Sequence, residues 1–429
     1  MKKQWVFLVI TLLTNTHLVL AQGAAPSLKE GTTLTLDESI AIALRDNKNI
    51  LLKEEEVNKA KLKISEARSG FYPTLDLTGG WHDTRELYSK DIGAYSTQVS
   101  LKQYLYKGSK TINTLKYNGL QFEVANALLD KEKLDVVLKV KKAFYTLLLA
   151  LEFSRINNAI VENANAHFDS IKTLYKAGLV SESEILSKEA ALKAVSSVHE
   201  ISLNQVESAN AVLNTLLYLD KDTIILPEGE FEFTSKEIEL DRAFLKAMQS
   251  RPEIKQYEAQ IKSGEKSIEI AKAQNRPSIY ASWDYYSNSV NILSFSPTKG
   301  WQDYNVVGVT FSWPIFDGWL TKAKVEQAVS DLKVTQLGRE KVIRDIVLEI
   351  KETYIKLKAA LSNIKVQEAD LAVYKDNAEV IKHRHESGLS SYLDLDDANL
   401  KYQIADFNKK QAVYDYLTAK SEFDAVTGG

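Results

Sequence analysis

The sequence has no cysteine, and glycine and proline are scarce, with 18 and 7 residues among 429. Without cysteine there is neither a disulfide framework nor an N-terminal lipid anchor, so packing or assembly must hold the fold. Few glycines and prolines favour long uninterrupted helices. After the first twenty residues, no stretch reaches the roughly 18 apolar residues of a membrane-spanning helix. A net charge of −3 without a basic stripe argues against a nucleic-acid partner.

Residues 1–21 have the features of a signal peptide. Lys2 and Lys3 precede a short apolar run from Trp5 to Leu13, and small residues follow near Ala21. A membrane anchor is the alternative, but the apolar run is short for one. We therefore expect the mature chain to be exported.

The chain contains the same residue pattern twice. Three pairs of matching positions lie 204, 204 and 210 residues apart: Leu36 and Leu240, Pro73 and Pro277, and Gly178 and Gly388. A fixed period indicates one structural unit used twice, so we predict an internal two-fold repeat with units 22–235 and 236–429. The extra residues lie in the loop at about 286–301, which we expect to face the outside of the cell.

Each repeat contains two segments in which apolar and polar residues alternate, as in a strand with two different faces. The predicted strands are about 73–80 and 97–106 in the first repeat, and about 277–286 and 304–313 in the second. Apolar-out strands with aromatic residues near their ends are typical of a transmembrane barrel. The predicted aromatic belt is Trp81, Trp283, Trp301 and Trp313. A soluble sandwich is the alternative, but four strands are few for that fold.

Each repeat also contains a helix before the strands and a long helical hairpin after them. The segments 109–177 and 320–387 keep helical spacing of apolar residues, and roughly 68 residues make a helix of about 100 Å. A tube or a coiled-coil spacer needs such a length, whereas a compact domain does not. Tight turns near Gly178 and Gly388 end these helices, with Ser181 and Ser390 or Ser391 as caps of the returning helices. The linker 220–233 is expected to form an irregular belt outside the helices.

Taken together, these segments resemble the TolC-type outer-membrane efflux channel family from Leu34 to Gly429. The residues that carry the resemblance are Leu36-Asp37-Glu38-Ser39-Ile40, Arg68-Ser69-Gly70-Phe71-Tyr72-Pro73, Ser312-Trp313-Pro314-Ile315-Phe316-Asp317-Gly318 and the two Gly-Leu tips. The resemblance implies a mainly α fold with a small antiparallel β part. Three protomers with four strands each would close a 12-stranded transmembrane β-barrel, continued by an α-barrel of long helices. Closure by several copies is also what open sheet edges in lipid require.

The resemblance further implies a homotrimeric exit duct in the outer membrane of a Gram-negative bacterium, with a large periplasmic part. Such a duct passively conducts substrates from an inner-membrane pump and a periplasmic adaptor, in tripartite efflux or type I secretion. The alternative is a periplasmic coiled-coil adaptor or spacer without a transmembrane barrel. That alternative explains the long helices but not the alternating strands.

No residues form a catalytic or metal-binding pattern. His383 and His385 are two residues apart and point to different sides of a helix, and His82, His167 and His199 have no visible partner. We therefore expect no enzymatic activity, no metal and no cofactor.

Asp394 and Asp397 are three residues apart near the start of the last helix and share a face. Acids there are also explained by the helix dipole alone. The resemblance assigns both aspartates to a periplasmic aperture, together with Glu184 in the first repeat. Threefold symmetry would make rings of carboxylates that select cations and whose pKa values rise through mutual repulsion. Where the best-known members have a basic residue this chain has Ser390, so Arg384 or Lys382 is a candidate replacement.

The two hairpin tips are the predicted docking site for the adaptor. Their residues are Gly178, Leu179, Val180, Ser181, Gly388, Leu389, Ser390 and Ser391. The alternative, that Leu179 and Leu389 only close the hairpins, is equally good on the sequence alone.

Overall fold

The computed structural model describes residues 31–87, 90–229, 231, 233, 239–289 and 300–429. The predicted signal peptide and most of the longer outer loop lie outside these ranges. In chain order the elements are β1 (Thr32–Leu34), α1 (Leu36–Asp46), α2 (Lys48–Ser69), β2 (Thr74–Leu87), β3 (Lys90–Lys107), α3 (Lys110–Lys176), α4 (Glu182–Leu217), β4 (Ile225–Pro227), α5 (Leu240–Ser250), α6 (Pro252–Lys272), a 3-10 turn (Ala273–Asn275), β5 (Ser278–Ser289), β6 (Trp301–Ser312), α7 (Leu320–Glu386) and α8 (Tyr392–Val426). The prediction of a mainly α chain with a small antiparallel sheet is confirmed.

The single helix predicted at the start of each half is in fact two helices. Asn47 separates α1 from α2, because its side chain accepts from the Asn49 amide at 3.0 Å and donates to the Leu216 carbonyl at 3.0 Å. In the second half the break falls at Arg251, which precedes Pro252. Proline disfavours a helical conformation in the residue before it and fits the first position of a new helix.

The larger sheet has four antiparallel strands in the order β2-β3-β5-β6, so the β3–β5 pair joins the two halves of the chain. β2 and β3 have 14 and 18 residues and extend beyond their predicted ends. Pairing continues through Gly79 and Gly80 and past the predicted end of the first strand at about residue 80. β2 and β6 are the margins of this sheet. Among the described residues, β2 pairs with β3 alone and β6 pairs with β5 alone.

The helices form one layer that continues the strand order. α3 and α7 have 67 residues each, which at 1.5 Å per residue is about 100 Å. α3 packs against α2 and α4 on one side and against α6 and α8 on the other, and α7 packs against α6 and α8. The layer therefore has α2 and α4 at one margin and α7 at the other. No described helix combines the length and the apolar content that a membrane span needs.

Each half has its own buried core. In the first half, side chains of α1, α3 and α4 meet around Phe144 and Leu213. In the second half, side chains of α5, α7 and α8 meet around Ile350 and Val413. β1 pairs in parallel with β4, so the linker predicted to be irregular contains a short strand. β1 and β4 pack near Phe144, midway along α3, and α5 packs near Ile350, midway along α7. Together these short elements form a belt on the helix layer.

Candidate functional site

Both hairpin tips are closed by the same backbone turn. Gly178 and Gly388 have φ values of +72° and +71°, a left-handed conformation that glycine adopts at little cost. The Leu179 amide donates to the Leu174 carbonyl at 3.0 Å, and the Leu389 amide donates to the Arg384 carbonyl at 2.8 Å. These bonds, with those of the two glycine amides, form Schellman caps that satisfy the last carbonyls of α3 and α7.

The two tip leucines project into solvent. Leu179 is 72% exposed and Leu389 is 70% exposed, so neither packs against its own hairpin. Their exposure disfavours the alternative that they only close the turns. The caps of the returning helices differ: Ser391 forms a capping box, whereas Ser181 occupies the N-cap position of α4 without a side-chain hydrogen bond. Ser181 is thus the cap of α4 by position, as predicted, but its side chain does not make the capping hydrogen bond.

Asp394 belongs to the cap of α8. One of its carboxylate oxygens accepts from the Ser391 hydroxyl at 2.7 Å and from the Ser391 amide at 2.8 Å. The hydroxyl of Ser391, then its amide, and to a smaller extent the charge of Arg384 hold the pKa of Asp394 below its ordinary value. Arg384 is thus a basic residue whose charge acts on Asp394, while the Ser390 hydroxyl donates to the Ile381 carbonyl. Within one chain, the pKa of Asp394 shifts in the direction opposite to that expected of a carboxylate ring.

Asp397 contacts α3 rather than Asp394. His167 Nε2 lies 2.8 Å from one carboxylate oxygen of Asp397, and the amide of Asn163 donates to the same oxygen at 3.3 Å. That amide also donates to Asp396 at 2.6 Å. Asn163 and His167 are one helical turn apart and face the acidic pair on α8. His167, which has no visible partner in the sequence, therefore joins the two helical hairpins near their tips.

A second polar bridge between α3 and α8 lies nearer the belt. Glu152 accepts from Lys410 at 3.0 Å and from Arg155 at 3.0 Å. Burial alone raises the pKa of Glu152, but these two hydrogen bonds outweigh it and lower that pKa below its ordinary value. Glu184, the third predicted aperture residue, is exposed in the first turn of α4. No group of metal-binding side chains occurs among the residues that the structure describes.

The four tryptophans lie at different levels of the sheet. Trp301 begins β6 at the loop end of the β5–β6 pair, and Trp81 lies at the same level but midway along β2. Trp313 follows β6 at the helix end, where its indole N–H donates to the Asn275 carbonyl at 3.2 Å. Trp283 lies midway along β5, opposite Val307. Two of the four, Trp301 and Trp313, therefore occupy positions at strand ends.

The sequence profile of the outer membrane efflux protein family matches residues 40–217 and 245–429, which is most of the chain. The chain belongs to this family. The resemblance to TolC-type channels is thereby confirmed, and the chain is an outer-membrane efflux channel. Its family consists of transport proteins rather than enzymes.

Individual relatives agree with this assignment. The chain is 20% identical to the outer membrane protein TolC of Vibrio cholerae over 374 residues, covering 85% of this chain and 84% of the relative. It is 21% identical to TolC of Escherichia coli over 388 residues, covering 85% and 76%. The Campylobacter jejuni CmeC channel has the same fold, with a TM-score of 0.76 at 16% identity, covering 95% and 90% of the two chains. A membrane protein from Pseudomonas aeruginosa gives the same TM-score over 95% and 98%.

Proposed function

We propose that three copies of this chain close into one duct, with a 12-stranded β-barrel in the outer membrane and an α-barrel in the periplasm. The observation that carries the proposal is the four-stranded sheet, which has an apolar exposed face and two margins that pair with no further strand among the described residues. The duct itself does no chemistry. It conducts cargo passively, and an inner-membrane pump supplies the energy.

The exposed face of the sheet is suited to lipid. Leu77, Val307 and Val309 are 74%, 78% and 70% exposed and share one face. β5 and β6 have 12 residues each, enough for the roughly 9–11 residues of a tilted transmembrane strand. Because unpaired backbone groups are costly in lipid, β2 of one copy would pair with β6 of the next. Three copies of four strands then leave no edge.

The margins of the helix layer are also apolar and exposed. α7 carries Val334, Leu348, Ile355, Val373 and Val380. α2 and α4 carry Leu52, Leu62, Leu186, Ile201 and Val212. Contact between α7 of one copy and α2 and α4 of the next would bury both sets, and a head-to-tail interface of this kind closes into a ring. Sheet and helices therefore favour the same symmetric assembly.

The periplasmic end would carry the gate and the docking surface. Threefold symmetry would place Asp394, Asp397 and Glu184 in rings near the tips, where carboxylates would select cations. The exposed Leu179 and Leu389, with the other tip residues, would dock a periplasmic adaptor of a tripartite efflux or type I secretion system. The coiled-coil adaptor alternative explains α3 and α7 but leaves the apolar sheet without a function.

Three experiments test the duct. The mass of the detergent-solubilised protein, from light scattering, should equal three chains, and the protein should form conducting pores in planar bilayers. Val307→Arg places a charge on the face assigned to lipid, at a cost of about 2–4 kcal/mol per chain, and should abolish insertion. Val306→Arg, on the adjacent lumen-side position, is the matched control and should insert normally. A protein that stays monomeric, or equal effects of the two variants, would contradict the proposal.

A further inference from the structure

The face of the sheet opposite the apolar residues carries a layer of lysines and tyrosines near the helix end. The Lys102 amino group lies 3.9 Å from the ring centre of Tyr280 and 5.0 Å from that of Tyr104. The Lys107 amino group lies 4.3 Å from the ring centre of Tyr104. The two rings are themselves in contact, with centres 5.5 Å apart. Four side chains from β3 and β5 thus form one compact group, the lysine–tyrosine layer.

A β-bulge brings both lysines to the same face. Tyr104 pairs with Tyr280, but Tyr106 pairs with Ile279, so Leu105 is an extra residue in β3. In a regular strand, Lys102 and Lys107 are five residues apart and lie on opposite faces. The extra residue reverses the alternation beyond it, and bulges commonly redirect a side chain in this way. Without the bulge, Lys107 would point towards the lipid side.

An acidic layer lies next to the lysines on the same face. Asp284 and Asp76 flank Ser100 in the sheet, two residues farther from the helix end, or about 7 Å along the strands. Asp284 already accepts a hydrogen bond from Gln98 at 3.1 Å. Neither Lys102 nor Lys107 forms an ion pair within the described part of the chain. Their amino groups lie over tyrosine rings, which do not neutralise the positive charges, so these charges remain available to a ligand.

We propose that the lysine–tyrosine layer is an anion-binding site in the lumen of the barrel, which contacts carboxylate, sulfonate or phosphate groups of passing cargo. The proposal rests on the proposed trimer, in which the layer is repeated three times around the pore. Rings of basic side chains are how pores select anions. The positive charges of the layer also offset the negative charges of the adjacent Asp76 and Asp284. The β-barrel part of the duct therefore accepts cargo of either charge.

The test is the ratio of chloride to potassium permeability, measured from reversal potentials of reconstituted pores in a KCl gradient. In a trimer, losing one lysine per chain removes three positive charges, and losing both removes six, at about one Debye length from the pore axis. The ratio should then fall about threefold, because the negative charges of the aspartates are no longer opposed. The variants for this test are Lys102→Gln alone and combined with Lys107→Gln. The single variant also covers the case in which the double variant does not assemble.

Two controls separate charge from other effects. Arginine at both positions keeps the charge and should keep the wild-type ratio. Lys221→Gln removes a charge from the exposed turn of the belt and should leave the ratio unchanged. If Lys102→Gln pores have the same ratio of chloride to potassium permeability as wild-type pores, the anion site is wrong, but the duct is not. A wild-type protein that forms no pores overturns the duct and the site together.

Discussion

The contact between His167 and Asp397 predicts a measurable coupling between the two helical hairpins. A hydrogen bond to a charged partner contributes about 1.5–3 kcal/mol when shielded, and an exposed ion pair about 0–1 kcal/mol. The Asp397 side chain is 47% exposed and that of His167 is 24% exposed, so we expect about 1 kcal/mol per chain. Three such contacts in a trimer give about 3 kcal/mol, which is more than a hundredfold in an open-to-closed ratio at 1.4 kcal/mol per tenfold.

A double-mutant cycle measures this coupling directly. Open and closed dwell times of single pores are recorded for the wild type, His167→Ala, Asp397→Ala and the double variant. Each single variant should raise the open fraction, and the double variant should add little to either. Asn158→Ala is the matched control, because the Asn158 amide donates to Glu162 on its own helix at 2.7 Å and makes no bond to α8 within the described part of the chain. If the two single effects simply add within about 0.3–0.5 kcal/mol, the contact does not hold the hairpins together.

Three further predictions concern the tips and the α3–α8 bridge. Alanine at both Asp394 and Asp397 should raise single-pore conductance or leakiness by removing the carboxylate rings; unchanged conductance and unchanged cation block would count against the aperture. Gly388→Ala should cost about 1–2 kcal/mol in thermal unfolding because its φ is positive, whereas Gly119→Ala in open space within α3 should gain about 0.5–1 kcal/mol; equal shifts in Tm would refute this. Because the pKa of Glu152 is depressed in the folded state, its stabilisation is present above the unfolded value near 4.3 and is lost as the pH falls through the folded value, so Glu152→Gln should flatten acid unfolding measured by circular dichroism.

The long helices could be predicted from sequence almost to the residue. Because proline is absent and glycine is rare in the segments 109–177 and 320–387, there are few places where α3 or α7 could end. Gly178 and Gly388 mark those places. The break at Asn47 was missed because an asparagine between the charged residues Asp46 and Lys48 is typical of a helix surface. Its role depends on the Leu216 carbonyl, which lies 169 residues away.

The polar contacts of the candidate site depend on which helices are neighbours. Asp394 and Asp397 could be located from their distance to Gly388, but nothing local pairs Asp397 with a histidine 230 residues earlier. The available signal was the spacing of Asn163 and His167, one turn apart on one face of α3. Using it requires knowing that α8 packs on α3, a long-range contact that helical periodicity does not specify. The bulge at Leu105 could not be predicted from the sequence for the same reason. It is defined by the pairing of β3 with β5, which is a long-range contact.

The uninterrupted length of α3 makes it a lever. The belt holds the helix near Phe144, and the tip lies about 30 residues further on, so the free arm is about 45–50 Å long at 1.5 Å per residue. A tilt of about 5° at the belt would therefore displace the tip by about 4 Å without breaking a hydrogen bond inside the helix. At His167, about 23 residues from Phe144, the same tilt gives about 3 Å, which still exceeds the reach of the contact with Asp397. Small rotations at mid-height would be enough to separate the hairpins at the far end.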